Sequence, residues 1–339
     1  MGFADKFIEQ ATAALSRCDD LLIAKAGEAN PWFCSLFVKH RLNTLKKSLE
    51  EEKTLLVELL NFKVLPSAPR LITIVAAGNI PLVCWHDFVC ALAYSVAHPE
   101  EVTLEIKLSS KDDVLLPALV DQLYRMENSC LEGVRVRFVP QADPGTRAIL
   151  FTGGTQAEAN YRQSFSGIPL LMRTGRSSIA VLEGSESDQQ LEGLARDCFL
   201  YFGLGCRNVS LLLVPEEYDF RPFVQKVRSV MGPVLRKHKN YMNALRHARA
   251  CTLMLSEEHK EVPADLFVLE ERDDLNPPVA VVNFIKCKKQ EDVSRFREMK
   301  RGLIQCVAGT ADLSFGKTQF PAFTDYADGL NTLEWLQKL

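Results

Sequence analysis

Five stretches of the chain place reactive or ligand-binding side chain types where the backbone can present them. The first is YFGLGCRNVSLLLVP, residues 201–215. Cys206 lies between a helix-like stretch and an apolar run, just after Gly203 and Gly205. A turn of this kind can present its side chain to a cleft. The thiol becomes a nucleophile when local N–H groups or the adjacent Arg207 lower its pKa; otherwise it is a packed thiol like the others. The second stretch is VAAGNIPL, residues 75–82, with Asn79 between Gly78 and Pro81. Its amide serves either as a donor to a developing oxyanion or as the maker of an Asx-type turn or cap. The third is ILFTGGTQAEANY, a strand–turn–helix pattern. Gly153 and Gly154 let backbone N–H groups approach a phosphate, and a helix starting near Thr155 adds its positive dipole end. This is not a GxGxxG fingerprint, and an ordinary strand-to-helix turn reads the same way. The fourth is KLSSKD, residues 107–112, where Lys107 at a strand end meets a ribose or phosphate or is an exposed loop lysine. The fifth is the pair His86 and Asp87 on the next helix. A histidine beside a cysteine makes a thiol-protease arrangement, but no GCW-type or caspase-type signature surrounds Cys206, and a lone helical histidine is more often structural.

The elements that must hold these residues alternate. Residues 1–62 read as helical, with Leu45, Leu49, Leu56, Leu59 and Leu60 at helical spacing before Pro66 and Pro69 end the pattern. Strands are expected at 71–77, 102–107, 134–139 and 147–151, with helices at 81–97, 113–126 and 155–165 between or after them. A break is expected near 167–177. A second series follows: a strand at 178–182, a helix at 188–202, a strand at 209–214, helices at 217–231 and 234–249, strands at 264–269 and 279–285, and a short C-terminal helix. Strands alternating with helices imply parallel βαβ units.

The 339 residues, 47% hydrophobic, suffice for two domains with sizeable cores. A net charge of −3 and no basic–aromatic interleaving argue against nucleic acid as a main partner. No apolar run reaches the roughly 18 residues of a membrane span. The start, MGFADKFIEQATAAL, lacks the basic opening and apolar centre of a signal peptide, and Lys6 stands where a myristoylation pattern wants Ser or Thr. The ten cysteines include no CxxC pair and no zinc spacing, so reduced thiols in a cytoplasmic protein are expected.

Taken in order, AAGNIPLVCWHDF, IKLSSKD, FTGGT, RTGRSSIAVL, YFGLGCRNVS and FPAFTDYADGLNTLEWL resemble the aldehyde dehydrogenase superfamily. More narrowly, they are similar to the acyl-CoA reductase family, which includes the fatty-acid reductase of bacterial luciferase systems. The resemblance covers roughly residues 70–339. It implies an α/β, aldehyde-dehydrogenase-like fold of two Rossmann-type parallel domains with an N-terminal helical segment. On that basis 1–175 would be the helices plus a nucleotide-binding domain and 176–312 a catalytic domain with the nucleophilic cysteine. Residues 313–339 would be a segment packing back or at an oligomer interface.

The resemblance also implies roles. Cys206 matches the catalytic thiol, in a Gly-x-x-Cys turn, and Asn79 the amide that, with a backbone N–H near the cysteine, holds the oxyanion. Lys107 and Ser109 match the strand-end lysine and its follower at the adenosine ribose. Gly153, Gly154 and Thr155 match the turn at the cofactor pyrophosphate, with Gly154 replacing the usual serine. Asp274 falls where the superfamily often has a glutamate on the nicotinamide ribose. No metal is implied; the cofactor would be NADPH or NADH.

One departure redirects the chemistry. Superfamily members that hydrolyse their thioester carry a glutamate base in a Glu-Leu-Gly-Gly-type stretch; here that stretch reads MRTGRSS, with Met172 near the glutamate position. Without a base for water, the resemblance points to reduction of an acyl-CoA or acyl-carrier thioester to an aldehyde. Reduction of another activated acyl group, such as an acyl phosphate, is an alternative, as is a non-catalytic relative that binds acyl groups or a partner. A homo-oligomer and an acyl-supplying partner enzyme are further expectations.

Overall fold

The computed structural model describes residues 2–60, 71–98, 102–255, 261–262 and 264–339. Pro66 and Pro69, expected to end the helical segment, lie outside these. The chain divides into two compact units: one takes residues 1–174 and 322–339, the other residues 175–321.

The first unit opens with four helices, α1 (Phe3–Ser16), α2 (Asp20–Ala29), α3 (Ser35–Glu51) and α4 (Lys53–Leu59). Asp19 caps α2 by accepting the Leu22 N–H. A five-stranded sheet follows, built from β1 (Leu71–Val75), β2 (Thr103–Lys107), β3 (Arg135–Phe138), β4 (Ala148–Thr152) and β5 (Leu170–Arg173). Helices α5 (Trp85–Ala97), α6 (Leu115–Tyr124) and α7 (Thr155–Ser164) connect them. The order is β3-β2-β1-β4-β5, and all four pairings are parallel. Side chains alternate across the sheet as the strand repeat requires. Ile72, Ile74, Leu104, Ile106, Ala148 and Leu150 face a large core shared with α1, α3, α5 and α6. Val75, Ile149, Phe151 and Met172 face a smaller cluster under Tyr161 of α7 and Phe165 just past its end. Near the C-terminus, α13 (Thr332–Leu336) sends Leu333 and Leu336 into the large core.

The second unit holds β6 (Ser177–Val181), α8 (Asp188–Phe199), β7 (Val209–Pro215), α9 (Arg221–Lys226), α10 (Gly232–Leu235), α11 (Lys239–Leu255), β8 (Glu261–Val262), β9 (Val268–Glu271), β10 (Val281–Cys287), α12 (Gln290–Met299) and β11 (Ile304–Ala308). Its sheet runs β11-β6-β7-β10-β9-β8. Every pairing is parallel except β8 with β9, which is antiparallel and departs from the expected all-parallel sheet. A capping box starts α8: Ser187 Oγ accepts the Gln190 N–H and Gln190 Oε1 accepts the Ser187 N–H.

Three expectations are corrected. The break between the two series, expected near 167–177, falls between Thr174 and Gly175, but the same stretch also holds β5, a strand that was not expected and that completes the first sheet. The helix expected over 188–202 stops at Phe199, because Tyr201, Phe202 and Gly203 all adopt left-handed backbone (φ +54°, +59° and +75°). Helix α12 and strand β11 occupy a region with no expected element.

Candidate active site

In the first unit four of the sequence-predicted segments meet at one edge of the sheet. Strand β1 leads through α5 to β2 on one side, while β4 lies on its other side. The loops leaving their carboxyl ends therefore diverge, and in open parallel sheets such a switch point is where ligands bind. Val75, the last residue of β1, is in register with Lys107 of β2 and Phe151 of β4. Lys107 thus ends its strand beside the loop that carries Asn79, and Gly153 begins the turn on the other side. Asn79 and Lys107 are half-buried, and the Asn79 Oδ1 is shut off from solvent.

Ser109 packs against the Asn79 loop: a Cβ added to Gly78 would lie 2.7 Å from Ser109 Oγ and 2.9 Å from the Lys111 Cβ. Only glycine fits there. Gly154 caps α7 in extended backbone, and a Cβ added to it would meet nothing within 4 Å. The first turn of α7, beginning at Thr155, therefore has open space before it. Gly153 is tighter, since its Cβ would lie 2.6 Å from the Phe151 ring.

Met172 is 8% exposed and sits in the apolar cluster with Val75, Ile149 and Phe151. No carboxylate occupies that position. The next residue, Arg173, is buried and pairs with Asp87, its Nη1 lying 2.5 and 2.6 Å from the two carboxylate oxygens. Its other terminal nitrogen donates to Thr332 Oγ1 at 2.6 Å. The Arg173 charge holds Asp87 below the usual carboxylate range although burial opposes it. His86 lies in the first turn of α5, its Nε2 3.0 Å from the Phe323 carbonyl and its ring against those of Phe323 and Tyr326. Both residues of the pair thus tie α5 to β5 and to the C-terminal segment.

In the second unit Cys206 occupies a tight turn before β7. The Asn208 N–H closes the turn onto the Gly205 carbonyl at 3.0 Å. Asn208 Oδ1 accepts the Gly205 N–H at 2.8 Å, and its Nδ2 donates to the carbonyls of Asp197 and Leu200, both at 2.9 Å, and of Cys198 at 3.4 Å. One buried side chain therefore fastens the turn and satisfies the end of α8. The three left-handed residues bring the chain back to that position. Left-handed backbone costs a non-glycine residue about 1–2 kcal/mol. The Tyr201 and Phe202 rings are buried, Phe202 at 4.0 Å from the His238 ring centroid. Full burial of such a side chain contributes about 1.5–3 kcal/mol, which offsets that strain.

Cys206 and Cys251 are exposed, whereas Cys84, Cys90, Cys130 and Cys198 are buried. Burial pushes the Cys130 thiol up to about 12 and the Cys198 thiol well above its usual value, so those thiols are poor nucleophiles. The Cys206 carbonyl accepts from Ser178 Oγ at 2.9 Å, and Cys306 Sγ lies 3.0 Å from the same hydroxyl. A serine has one proton to give, so the Cys306 thiol is the donor in the second contact.

Asp274 belongs to a segment that crosses the amino-terminal ends of β6 and β7, the edge at which the Cys206 turn enters β7. Ser210 Oγ donates to the Leu275 carbonyl at 2.7 Å and Ser177 Oγ to Asn276 Oδ1 at 2.6 Å. The Asp274 carboxylate accepts the Asn276 N–H at 2.9 Å, a turn-forming contact. A cavity of about 300 Å³ opens at the opposite, carboxyl edge, lined by Val181, Pro215, Lys288, Lys289 and Arg297 among others. None of the sequence-predicted site residues lines it.

Asn208, Ser178, Arg173 and Cys306 were missed by sequence reasoning. Asn208 alone left a local signal, an asparagine between a glycine turn and a strand. Among the described residues no helix is long and apolar enough to cross a membrane.

No family model matches the chain, and no curated protein matches it in sequence. Solved structures do match in fold. Aldehyde dehydrogenase 21 from Physcomitrella patens, in complex with the reaction product succinate, superposes with a TM-score of 0.64 at 12% identity, covering 98% of this chain and 79% of that one. A mutant of aldehyde dehydrogenase C from Pseudomonas syringae, complexed with NAD+ and octanal, gives 0.63 at 10% identity over 91% and 72%. The indole-3-acetaldehyde dehydrogenase AldA of P. syringae, also a mutant with NAD+, gives 0.63 at 12% identity over 92% and 73%. The chain has an aldehyde-dehydrogenase-like fold.

Proposed function

We propose that the chain is a nicotinamide-dependent acyl-thioester reductase that forms an aldehyde through an acyl-Cys206 intermediate. The observation that carries this reading is the Cys206 turn: an exposed thiol in a turn fastened by Asn208, in a chain whose fold is aldehyde-dehydrogenase-like. Solved structures of the same fold hold NAD+, by their descriptions. The residues at the carboxyl edge of the first sheet fit such a group. Gly153 and Gly154 with the start of α7 offer backbone N–H groups and open space to a pyrophosphate, and Lys107 and Ser109 lie along the same edge for a ribose. Asp274 is assigned to the nicotinamide ribose. When bound, the cofactor supplies the hydride.

In this reading the Cys206 thiolate attacks the carbonyl carbon of an acyl-CoA. The C=O π electrons move onto oxygen, and the Asn79 amide and a backbone N–H beside Cys206 stabilise the oxyanion. Collapse breaks the C–S bond to CoA, whose thiolate leaves and takes a proton, giving an acyl-Cys206 thioester. Reduction of this acyl group would leave a thiohemiacetal oxyanion on Cys206, which would expel the Cys206 thiolate as the aldehyde departs. The buried, apolar Met172 supports this direction, because it can activate no water to hydrolyse the thioester.

The test is acyl-CoA-dependent consumption of NADPH and NADH across a range of chain lengths, with aldehyde identified as product. The wild type is expected to turn over and Cys206→Ala to lose at least about 10³-fold. Full activity in Cys206→Ala would remove the covalent route.

A further inference from the structure

The loop from β1 to α5, residues 76–84, carries both Asn79 and a strained residue. Leu82 is 1% exposed and adopts φ +53°. A non-glycine residue holds such backbone only where its surroundings impose it. Three other segments of the same unit do so. Asn30, just past the end of α2, donates its Nδ2 to the Gly78 carbonyl at 3.0 Å. Its Oδ1 accepts the Trp32 N–H at 3.0 Å, which fixes the amide's orientation. Arg41 of α3 donates its Nε–H to the Pro81 carbonyl at 3.2 Å and an Nη2–H to the Leu82 carbonyl at 3.4 Å. Asp112, in the loop after β2, accepts the Leu82 N–H at 2.8 Å. Arg41 and Asp112 thus hold the two backbone polar groups of one strained residue; burial pushes the Asp112 carboxyl up to about 7, against the pull of the Arg41 charge. Apolar packing alone would suffice to dock a scaffold helix. Side chains that donate to loop carbonyls instead fix backbone position, which a preorganised oxyanion donor requires.

We propose that Arg41 and Asn30, together with Asp112, are positioning residues for Asn79, so that the N-terminal helices belong to the catalytic apparatus. This rests on the reading of Asn79 as the oxyanion donor. The fixed loop presents the Asn79 amide without reorganisation at the moment the oxyanion forms, and loosening it lowers the rate without touching the thiol.

The test compares two reactions of Cys206 in full-length protein. Acylation by an acyl-CoA, read as the burst of CoA released, passes through an oxyanion; alkylation by iodoacetamide does not. In Arg41→Met the acylation rate is expected to fall about 10–100-fold. The alkylation rate should stay within about twofold. Placed on Asn79→Ala, the same change should cost less than about twofold more, because the group it positions is gone. Arg41→Lys should recover part of the loss. Unchanged acylation in folded Arg41→Met, or an equal loss with and without Asn79, overturns the proposal. If Arg41→Met does not fold, Asn30→Ala is put through the same comparisons with the same criteria. If the wild type is not acylated at all, the catalytic reading fails separately. Hydrogen exchange of the Leu82 and Val83 amides then decides the clamp: about tenfold faster exchange in the variant upholds it, and unchanged exchange refutes it.

Discussion

Replacing Asn208 by alanine tests the account of how the Cys206 turn is built. The side chain is 3% exposed and makes three short hydrogen bonds, to the Gly205 N–H at 2.8 Å and to the Asp197 and Leu200 carbonyls at 2.9 Å each. At a net of about 1 kcal/mol per bond the loss is about 3 kcal/mol, with the longer contact to Cys198 adding little. For a domain of this size that lowers the melting transition by about 6–12 °C. Cys206 loses the partner that fixes its turn, and a displacement of about 1 Å at a reacting group costs about 10²-fold in rate. Thermal unfolding followed by circular dichroism and the rate of acyl-CoA-dependent cofactor oxidation read the two effects. Asn208→Asp keeps the acceptor for Gly205 but sets a carboxylate against the end carbonyls of α8, so it should be worse at pH 7 than at pH 4. An Asn208→Ala protein melting within about 2 °C of wild type, with undiminished activity, would refute the reasoning.

Two further outcomes follow from buried charges. Arg173→Met should cost about 3–5 kcal/mol in chemical denaturation because it strands Asp87, and Arg173→Met with Asp87→Leu should recover more than half of that; equal losses in the single and double variants would count against a buried pair. Asp197 accepts from Gly316 N at 2.6 Å, Thr318 N at 3.1 Å and Thr318 Oγ1 at 2.7 Å, yet burial pushes its carboxyl from 3.8 up to about 6. The folded state keeps this proton at a pH where the unfolded chain has lost it. Its contribution to stability is therefore fullest below about pH 4 and is lost as the pH rises to about 6. The stability of wild type relative to Asp197→Asn should fall across that window, and a difference that does not change with pH would contradict the assignment.

Features carried by neighbouring residues could be read from the sequence. Glycines around Cys206, a Gly-Gly before α7 and alternating strand and helix periods gave the sheet edges and the segments at them. What depended on distant partners could not be read. Asn208 acts on the end of α8, and only the reversal at Tyr201, Phe202 and Gly203 brings that end within reach. The run LYF continues the helical spacing of α8, so periodicity extended the helix; burial of the two rings outweighed it. Strand β5 has four residues between Pro169 and Thr174, too few for an alternation to show. Arg41 and Asn30 look like solvated helix residues, because their partners lie 40 or more positions along the chain.

The central claim is that Cys206 carries the acyl group. Intact-protein mass spectrometry after mixing with an acyl-CoA and no cofactor tests it most directly. The account predicts one added acyl mass, located by peptide mapping at Cys206 and discharged as aldehyde when NADPH or NADH is added. An adduct on another of the ten cysteines, or turnover with no adduct at Cys206 under any condition, would contradict it.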